Sequence, residues 1–183
     1  MSAEERAAVL HDLENAVRTI CSSMDVSLVP EVGLNIVFAL PNATDSADVA
    51  GVEGRIVRLR GHPHAVGEVA FGASSHVARV VLTALRHDPE IRSAANIRFS
   101  EGAVAIAEDM KFDICSFDRT SEPPGTRTMD WGVEQCCTDE VPDVIYDRGA
   151  VGKEPMIRIL GEDPEVVVHN ILMLSQRIID TNE

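Results

Sequence analysis

Apolar residues recur at helical spacing near the start of the chain. They lie three or four positions apart, which places them on one face of a helix. The members of this stripe are Leu10, Leu13, Val17, Ile20 and Met24. Ser2 and Glu5 have the spacing of a capping box at the start of such a helix. The pattern predicts an amphipathic helix over 2–24, within an N-terminal helical appendage (1–27) that precedes a core spanning 28–183.

Short apolar runs alternate with further helical stripes along the rest of the chain. The runs predict strands at 34–40, 54–60, 96–100, 112–117, 143–147 and 156–160. The stripes predict helices at 75–87, 101–110 and 130–137, and a last helix that begins at Asp163 and Pro164. The glycine-rich stretch 61–75 is interpreted as a loop. Alternating strands and helices favour an α/β fold with both faces of its sheet covered, and we interpret 1–183 as one domain.

The charge balance narrows the classes of partner. The 183 residues include 16 basic and 30 acidic side chains, a net charge of −14. Binding to nucleic acid or to an anionic membrane depends on basic patches, so neither is expected of this chain. No apolar run approaches the ~18 residues of a membrane span, and the first residues lack a basic-then-apolar signal. These features predict a soluble, cytoplasmic protein.

The four cysteines do not have the spacing of a metal site. Cys136 and Cys137 are adjacent, while Cys21 and Cys115 stand alone in the sequence. Four cysteines in a chain of this length are also not typical of a disulfide-rich secreted scaffold. We therefore expect reduced, structural thiols.

The start of the helix at 75–87 is the first candidate for chemistry. It is formed by Gly72, Ala73, Ser74, Ser75 and His76. Small residues and serines at a helix start offer backbone N–H groups, hydroxyls and the positive end of the helix dipole, which together suit a phosphate. An ordinary serine N-cap fits the same residues. The histidine in the first turn could reach the same anion, or could be structural.

Three further features remain open to more than one interpretation. The segment 149–155 is rich in glycine and carries Lys153, but Glu154 stands where a Walker loop needs a hydroxyl, so it is either an improvised phosphate loop or a plain turn. Several arginines fall on or just after predicted strands, where they could bind phosphate or form salt bridges. They are Arg55, Arg58, Arg60, Arg98 and Arg119. His62 and His64 could hold a metal, although no acidic ligand lies at matching spacing.

Several of these segments together resemble the archaeal ThiN-type thiamine-phosphate synthase family. The resemblance covers about residues 28–180 and is clearest in VPEVGLNIVFALPNA (29–43), FGASSHVARVVLTALRHDPEIRSAANIRFSE (71–101) and PDVIYDRGAVGKEPMIRILG (142–161). DVAGVEGRIVR (48–58) and CSFDR (115–119) add to it. In archaea this domain often follows a kinase domain or a helix-turn-helix module. Neither precedes it here, so the chain is either a stand-alone synthase or one domain of a longer protein.

The resemblance implies a fold, a reaction and a set of site residues. The fold is a three-layer α/β/α arrangement with a mixed β-sheet, similar to the class II aldolases. The reaction joins hydroxymethylpyrimidine diphosphate, with Mg²⁺, to hydroxyethylthiazole phosphate and releases thiamine phosphate and pyrophosphate. The family's catalytic residues match Arg55 and His76. Its other motif positions, as candidate substrate contacts, match Asn96, Arg98, Ser116, Asp118, Arg119, Gly152 and Lys153.

Two alternatives to the synthase accompany this interpretation. One is a thiamine-phosphate-sensing module of a transcriptional regulator, which we expect to lack His76 and its helix. The other is a metal-dependent lyase that uses His62 and His64. For the synthase we expect Arg55 and His76 to stabilise the departing pyrophosphate. Because the attacking thiazole nitrogen carries no proton, the reaction needs no strong base. The apolar stripe of the first helix and the family together favour a homodimer.

Overall fold

The computed structural model describes residues 2–182, apart from the side chains of Thr128 and Asn182. Its helices are α1 (Ala3–Ser23), α2 (His76–His87), α3 (Glu101–Asp109), α4 (Thr128–Cys136) and α5 (Pro164–Asn182). Its first strands are β1 (Ile36–Ala39), β2 (Val49–Val52), β3 (Ile56–Leu59), β4 (His62–Ala65) and β5 (Val69–Phe71). They are followed by β6 (Ser93–Arg98), β7 (Ile114–Ser116), β8 (Val144–Asp147) and β9 (Met156–Gly161).

Seven of these strands form one mixed sheet. Their order is β5-β2-β1-β6-β9-β8-β7, and β3 and β4 form a separate hairpin. Neighbouring strands of the sheet are antiparallel except for β7 and β8, which are parallel. The predicted mixed sheet is confirmed.

Helices cover both faces of the sheet. Ile36 and Phe38 of β1 belong to one core with α1, α3 and α5, while Val37 and Ala39 belong to a second core with α2 and α4. Successive side chains of a strand point to opposite faces, so a strand buried on both sides needs an uninterrupted apolar run. The run at 34–40 meets this requirement, and the predicted three-layer arrangement is confirmed.

The N-terminal helix is part of the larger core. Leu13 and Ile20 of α1 are fully buried there, and the helix packs against α5 and β1. The capping box is present, since the Glu5 N–H donates to Ser2 Oγ at 3.1 Å and the Ser2 N–H donates to Glu5 Oε2 at 2.8 Å. The segment that we expected as an appendage thus covers one face of the sheet together with α3 and α5.

The stretch 61–75, interpreted as a loop, instead contains two strands. β4 pairs with β3, and β5 pairs with β2 at the edge of the main sheet. β4 has only four residues and carries Pro63 between two exposed histidines, and proline is uncommon within strands. β5 has only three residues. Short edge strands of this kind lack the pattern that identifies a buried strand.

The expectation of reduced thiols is wrong for two of the cysteines. Cys115 of β7 and Cys136 of α4 form a disulfide, while Cys21 and Cys137 are free. Burial raises the pKa of the Cys137 thiol to about 11, with a further contribution from the Glu134 charge, so this thiol stays protonated near neutral pH. The disulfide depends on α4 packing beside the sheet, which the sequence spacing does not reveal. None of the helices in the described chain is long and apolar enough to cross a bilayer.

Candidate active site

Several segments of the fold converge on one cavity of about 370 Å³. Its wall is formed by β6 and β9 of the sheet, the start of α2 with the residues before it, one residue of α4, Arg55 and the segments around 33, 119 and 153. The segments come from distant parts of the chain, and the sheet order brings them to the same end of the fold. A concave site of this size, with several convergent polar groups, suits a small-molecule ligand.

The cavity brings together most of the residues that the sequence singled out. They are Arg55, Ala73, Ser74, Ser75, His76, Asn96, Arg119, Gly152 and Lys153. Gly72, Arg98, Ser116 and Asp118 do not line it. Arg98 instead lines an adjoining open cleft that shares Val32, Gly152 and Glu154 with the cavity.

Two of the residues outside the cavity have local structural roles. Asp118 accepts a hydrogen bond from the Thr120 N–H at 2.8 Å and so caps the turn at 119–121. Gly72 has a φ of +78°, in the region that favours glycine, and it turns the chain from β5 toward α2. Ser116 is exposed on β7.

The first turn of α2 is open to a ligand. Ser75 occupies the N-cap position, but its side chain makes no capping hydrogen bond. The N–H groups of the first turn of an α-helix have no partner within the helix. Together with the helix dipole they form a site for negative charge. The ordinary serine cap, one of the two interpretations of this segment, is therefore not what the structure contains.

His76 lines the cavity in a strongly positive environment. Partial desolvation lowers the pKa of its imidazole, and the charges of four surrounding arginines lower it further. Those residues are Arg79, Arg55, Arg119 and Arg158. A histidine whose pKa lies below its usual value of about 6.5 is neutral at neutral pH, so one ring nitrogen donates and the other accepts.

Arg55 has an unusual backbone conformation. Its φ is +69°, in the left-handed region that costs a residue with a side chain about 1–2 kcal/mol. Its guanidinium Nη1 donates to the Val32 carbonyl, and its own carbonyl accepts from the Val66 N–H at 3.0 Å. The side chain is exposed and lines the cavity. Strained backbone of this kind is common at functional positions.

The sequence did not point to Arg158 and Asp147. Arg158 lies on β9 with a side chain only 3% exposed, and its Nη2 donates to Asp147 Oδ2 at 2.8 Å. Arg119 lies on the other side of the same carboxylate, with its Nη1 3.5 Å from Asp147 Oδ1. Burial lowers the pKa of Arg158, while the charge of Asp147 opposes that change. The one available signal was a charged residue inside the apolar run MIRIL (156–160).

Asn96 shapes the cavity from within the sheet. Its Oδ1 accepts from the Asn35 N–H at 2.7 Å, and its Nδ2 donates to the Gly33 carbonyl at 3.1 Å. Asn35 Oδ1 in turn accepts from the Val52 N–H at 2.9 Å, and Asn35 Nδ2 donates to the Val52 carbonyl at 3.0 Å. Both amides are buried and satisfied by main chain, so Asn96 fixes the wall formed by 33–35.

The glycine-rich loop presents Lys153 at the rim. The loop is a tight turn in which the Lys153 N–H donates to the Ala150 carbonyl at 2.9 Å. Lys153 Nζ lies 3.2 Å from Glu122 Oε2. The neighbouring Glu154 carboxylate accepts from the N–H groups of Glu31 and Val32, at 2.9 and 3.1 Å, and ties the loop to the opposite wall.

Comparison with known proteins supplies a family for this chain. The family model described as thiamine-phosphate synthase ThiN matches residues 12–173. The chain belongs to the ThiN family. A bifunctional thiamine biosynthesis protein ThiDN of Methanocaldococcus jannaschii is 43% identical over 176 residues, which are 94% of this chain and 42% of that protein. A thiamine-phosphate synthase ThiN of Methanothermobacter thermautotrophicus is 41% identical over 162 residues, which are 84% of this chain and 85% of that protein.

Solved structures place this ThiN chain in the expected fold. The C-terminal domain of a phosphomethylpyrimidine kinase is 43% identical with a TM-score of 0.86, covering 93% of this chain and all of that one. YgbL of Escherichia coli, a putative aldolase/epimerase/decarboxylase, is 12% identical with a TM-score of 0.53 over 94% of this chain and 87% of its own. The second likeness concerns the fold alone and confirms the aldolase-like class.

The described residues of this ThiN chain do not form a metal cage. Residues 2–182 contain no group of three or more histidine, cysteine or acidic side chains that could hold a metal ion. His62 and His64 lie on β4 and do not line the cavity. Glu154, the one carboxylate among the described residues that line the cavity, is held by main-chain N–H groups.

Proposed function

We propose that the chain catalyses the thiamine-phosphate synthase reaction between hydroxymethylpyrimidine diphosphate and hydroxyethylthiazole phosphate. The observation that carries the proposal is the concentration of cationic groups around one cavity in a chain of net charge −14. These groups are Arg55, Arg119, Lys153 and Arg158, next to the open start of α2. An acidic chain that binds two phosphorylated substrates needs such a local concentration of positive charge. Membership of the ThiN family supports the same reaction.

The reaction is a substitution at the pyrimidine methylene carbon. The lone pair of the thiazole ring nitrogen forms the new C–N bond, and the bond from that carbon to the diphosphate oxygen breaks. The electron pair of the broken bond leaves with pyrophosphate, and the thiazole nitrogen acquires a positive charge. The attacking nitrogen has no proton to lose, so the cavity needs no general base. What the protein must supply is stabilisation of the negative charge that develops on the leaving group.

In this proposal Arg55 and His76 provide that stabilisation. Arg55 offers a guanidinium that is always charged and can donate two parallel hydrogen bonds to a phosphate. His76 is neutral in the free site because of its lowered pKa, and it donates one N–H. The open N–H groups of α2 bind the same anion. In this arrangement Asn96 acts on the cavity wall, and Arg98 in the adjoining cleft remains a candidate substrate contact.

The donor set of the cavity does not fit a resident Mg²⁺. The ion usually binds through one or two carboxylates together with substrate phosphates. Glu154, the one described carboxylate that lines this cavity, is already held by the N–H groups of Glu31 and Val32, while Asp147 is fully buried and bonded to Arg158. We therefore propose that Mg²⁺ enters, where the reaction uses it, as part of the diphosphate substrate. A cytoplasmic location and a homodimer also stay predictions.

Substitution of the two catalytic residues tests the proposal. His76→Ala and Arg55→Ala should each abolish most formation of thiamine phosphate from the two substrates. Far-ultraviolet circular dichroism should stay unchanged, since neither residue is buried. Near-normal turnover in both variants would contradict the assignment. Tight binding of thiamine phosphate without any turnover by the unsubstituted protein would favour the sensing module instead.

A further inference from the structure

Asp147 is a fully buried carboxylate at the end of β8, and three parts of the site meet at it. Oδ2 accepts from Arg158 Nη2 at 2.8 Å. Oδ1 lies 3.5 Å from Arg119 Nη1 and also accepts from the Gly149 N–H at 2.8 Å. A single side chain thereby contacts β9, the turn at 119–121 and the start of the glycine-rich loop.

The charges around Asp147 do not balance. One carboxylate faces two guanidiniums, whose side chains are only 3% and 13% exposed for Arg158 and Arg119. Arginine stays protonated in proteins, so this group of three keeps one unit of positive charge in a largely buried place. A buried charge is stable only when it is paired and hydrogen-bonded. An anion bound in the cavity would neutralise the remaining positive charge.

Unused donors lie in the same place. Arg158 Nη1 and Arg119 Nε are buried and have no hydrogen-bond partner among the described residues. Both arginines line the cavity. Buried donors are nearly always paired in native proteins, so each unpaired one calls for an explanation. A bound phosphate group, with several acceptor oxygens, would provide one.

The third contact of Asp147 reaches the lysine. The Gly149 N–H bond to Asp147 fixes the start of the loop, and paired hydrogen bonds between Ala150 and Lys153 close it at 2.9 and 3.2 Å. Gly149 has a φ of +73°, and a Cβ there would lie 2.5 Å from the Lys153 carbonyl oxygen. Asp147 thus anchors the start of the loop that carries Lys153.

We propose that Asp147 is the positioning residue of the diphosphate site: it orients Arg158, Arg119 and the Lys153 loop, and Arg158 binds the anion directly. The inference rests on the proposed function for the identity of the anion. Asp147 itself touches no substrate, because its oxygens are occupied by the protein. Arg158 becomes a binding residue, which the sequence did not identify.

The direction in which Asp147→Asn changes the affinity for an anion distinguishes a positioning role from a purely electrostatic one. Asp147→Asn removes a negative charge beside the site and keeps the size of the side chain. If charge alone mattered, the variant would bind an anion more tightly. If Asp147 positions the arginines, the variant binds more weakly, since a displacement of about 1 Å in a site can cost about 100-fold.

Isothermal titration with inorganic pyrophosphate, at fixed ionic strength, measures this directly. We expect Asp147→Asn and Arg158→Lys each to weaken binding by at least about tenfold, as loss of one charge-assisted contact implies. The matched control is Arg92→Lys, because Arg92 donates through Nε and Nη2 to the Ala39 carbonyl at 3.1 and 2.8 Å and lies outside the cavity. That control should lower the melting temperature and leave pyrophosphate affinity unchanged. In turnover, Asp147→Asn should raise KM for the pyrimidine diphosphate more than KM for the thiazole phosphate.

The possible results distinguish failure of this inference from failure of the proposed function. Unchanged or tighter pyrophosphate binding by a folded Asp147→Asn overturns the inference, and so does failure of the unsubstituted protein to bind pyrophosphate. If Asp147→Asn does not fold, Arg158→Lys decides, and unchanged affinity in that variant overturns the inference. Weaker binding in the variants without any synthase activity in the unsubstituted protein would support the anion site and contradict the proposed function.

Discussion

Replacing Arg55 with glycine should separate the stability of the protein from its activity. Arg55 is exposed, lines the cavity and has a φ of +69°. Glycine populates that region without steric cost, so Arg55→Gly removes the guanidinium and relaxes the backbone together. An alanine substitution would remove the guanidinium and keep the backbone strain.

The expected change in stability is small. Relief of the left-handed conformation contributes about 1–2 kcal/mol. Against this, glycine loses about 0.5–1 kcal/mol more conformational entropy on folding, and the hydrogen bond to the Val32 carbonyl contributes about 1 kcal/mol. The terms cancel to within about 1 kcal/mol, which is about 2–4 °C in melting temperature for a chain of this length.

The expected change in activity is large. In the proposed mechanism Arg55 donates charge-assisted hydrogen bonds to the departing pyrophosphate, and loss of one such bond costs about 1.5–3 kcal/mol. Since about 1.4 kcal/mol corresponds to a factor of ten, kcat/KM for thiamine phosphate formation should fall about 10- to 150-fold. Initial rates and a thermal melt on the same preparation measure both quantities.

Arg60→Gly provides the matched control. Arg60 is also an exposed arginine with a positive φ, of +50°, but it lies in the β3–β4 turn outside the cavity. This variant should keep nearly full activity with a similar melting temperature. An equal loss of activity in the two variants would refute the role of Arg55. A melting temperature of Arg55→Gly lower by much more than about 4 °C would refute the reasoning on strain.

Three further predictions concern the protonation of His76, the packing of α1 in the core and the disulfide. A bound anion raises the lowered pKa of His76, so binding of pyrophosphate should be accompanied by uptake of a proton. The affinity of the unsubstituted protein for pyrophosphate should therefore rise more steeply than that of His76→Asn when the pH is lowered from about 7.5 to about 5.5. Equal slopes in the two proteins would contradict this. Leu13→Ala should cost about 2–5 kcal/mol in denaturant unfolding, because Leu13 is fully buried, whereas Leu59→Ala, at a position 47% exposed, should cost less than about 0.5 kcal/mol. Similar values for the two would show that α1 is not part of the core. Reduction of Cys115–Cys136, which spans 21 positions, should cost about 3 kcal/mol and about 10 °C in melting temperature. An unchanged melting temperature under reducing conditions would contradict the presence of the Cys115–Cys136 disulfide.

The elements that could be predicted are those with a complete local pattern. α1 and α2 have apolar stripes over several turns, and β1 has an apolar run that fits burial on both faces. Strands β2 and β4 could not be predicted in the same way. β2 contains Ala50 and Gly51, and β4 contains Pro63, so their strand conformation comes from pairing with neighbours.

In the candidate site, too, the residues that could be predicted are those that belong to a local sequence motif. Ser75, His76 and Lys153 belong to short motifs whose residue types suit phosphate, although an ordinary helix cap or turn fits the same residues. Asp147 and Arg158 belong to apolar strands, and they meet only because β8 pairs with β9 in a register that sets Asp147 opposite Met156. A contact between neighbouring strands depends on the sheet order, which local spacing does not determine. The net charge of −14 did indicate that positive groups would have to be concentrated somewhere.

The most direct test of the proposed function is identification of the product. The purified protein would be incubated with hydroxymethylpyrimidine diphosphate, hydroxyethylthiazole phosphate and Mg²⁺, and both products followed by mass spectrometry and a pyrophosphate assay. We predict thiamine phosphate and pyrophosphate in equal amounts, with neither formed when one substrate is omitted and little of either in His76→Ala. Pyrophosphate release without thiamine phosphate, or no product at all from a folded protein that binds both substrates, would contradict it.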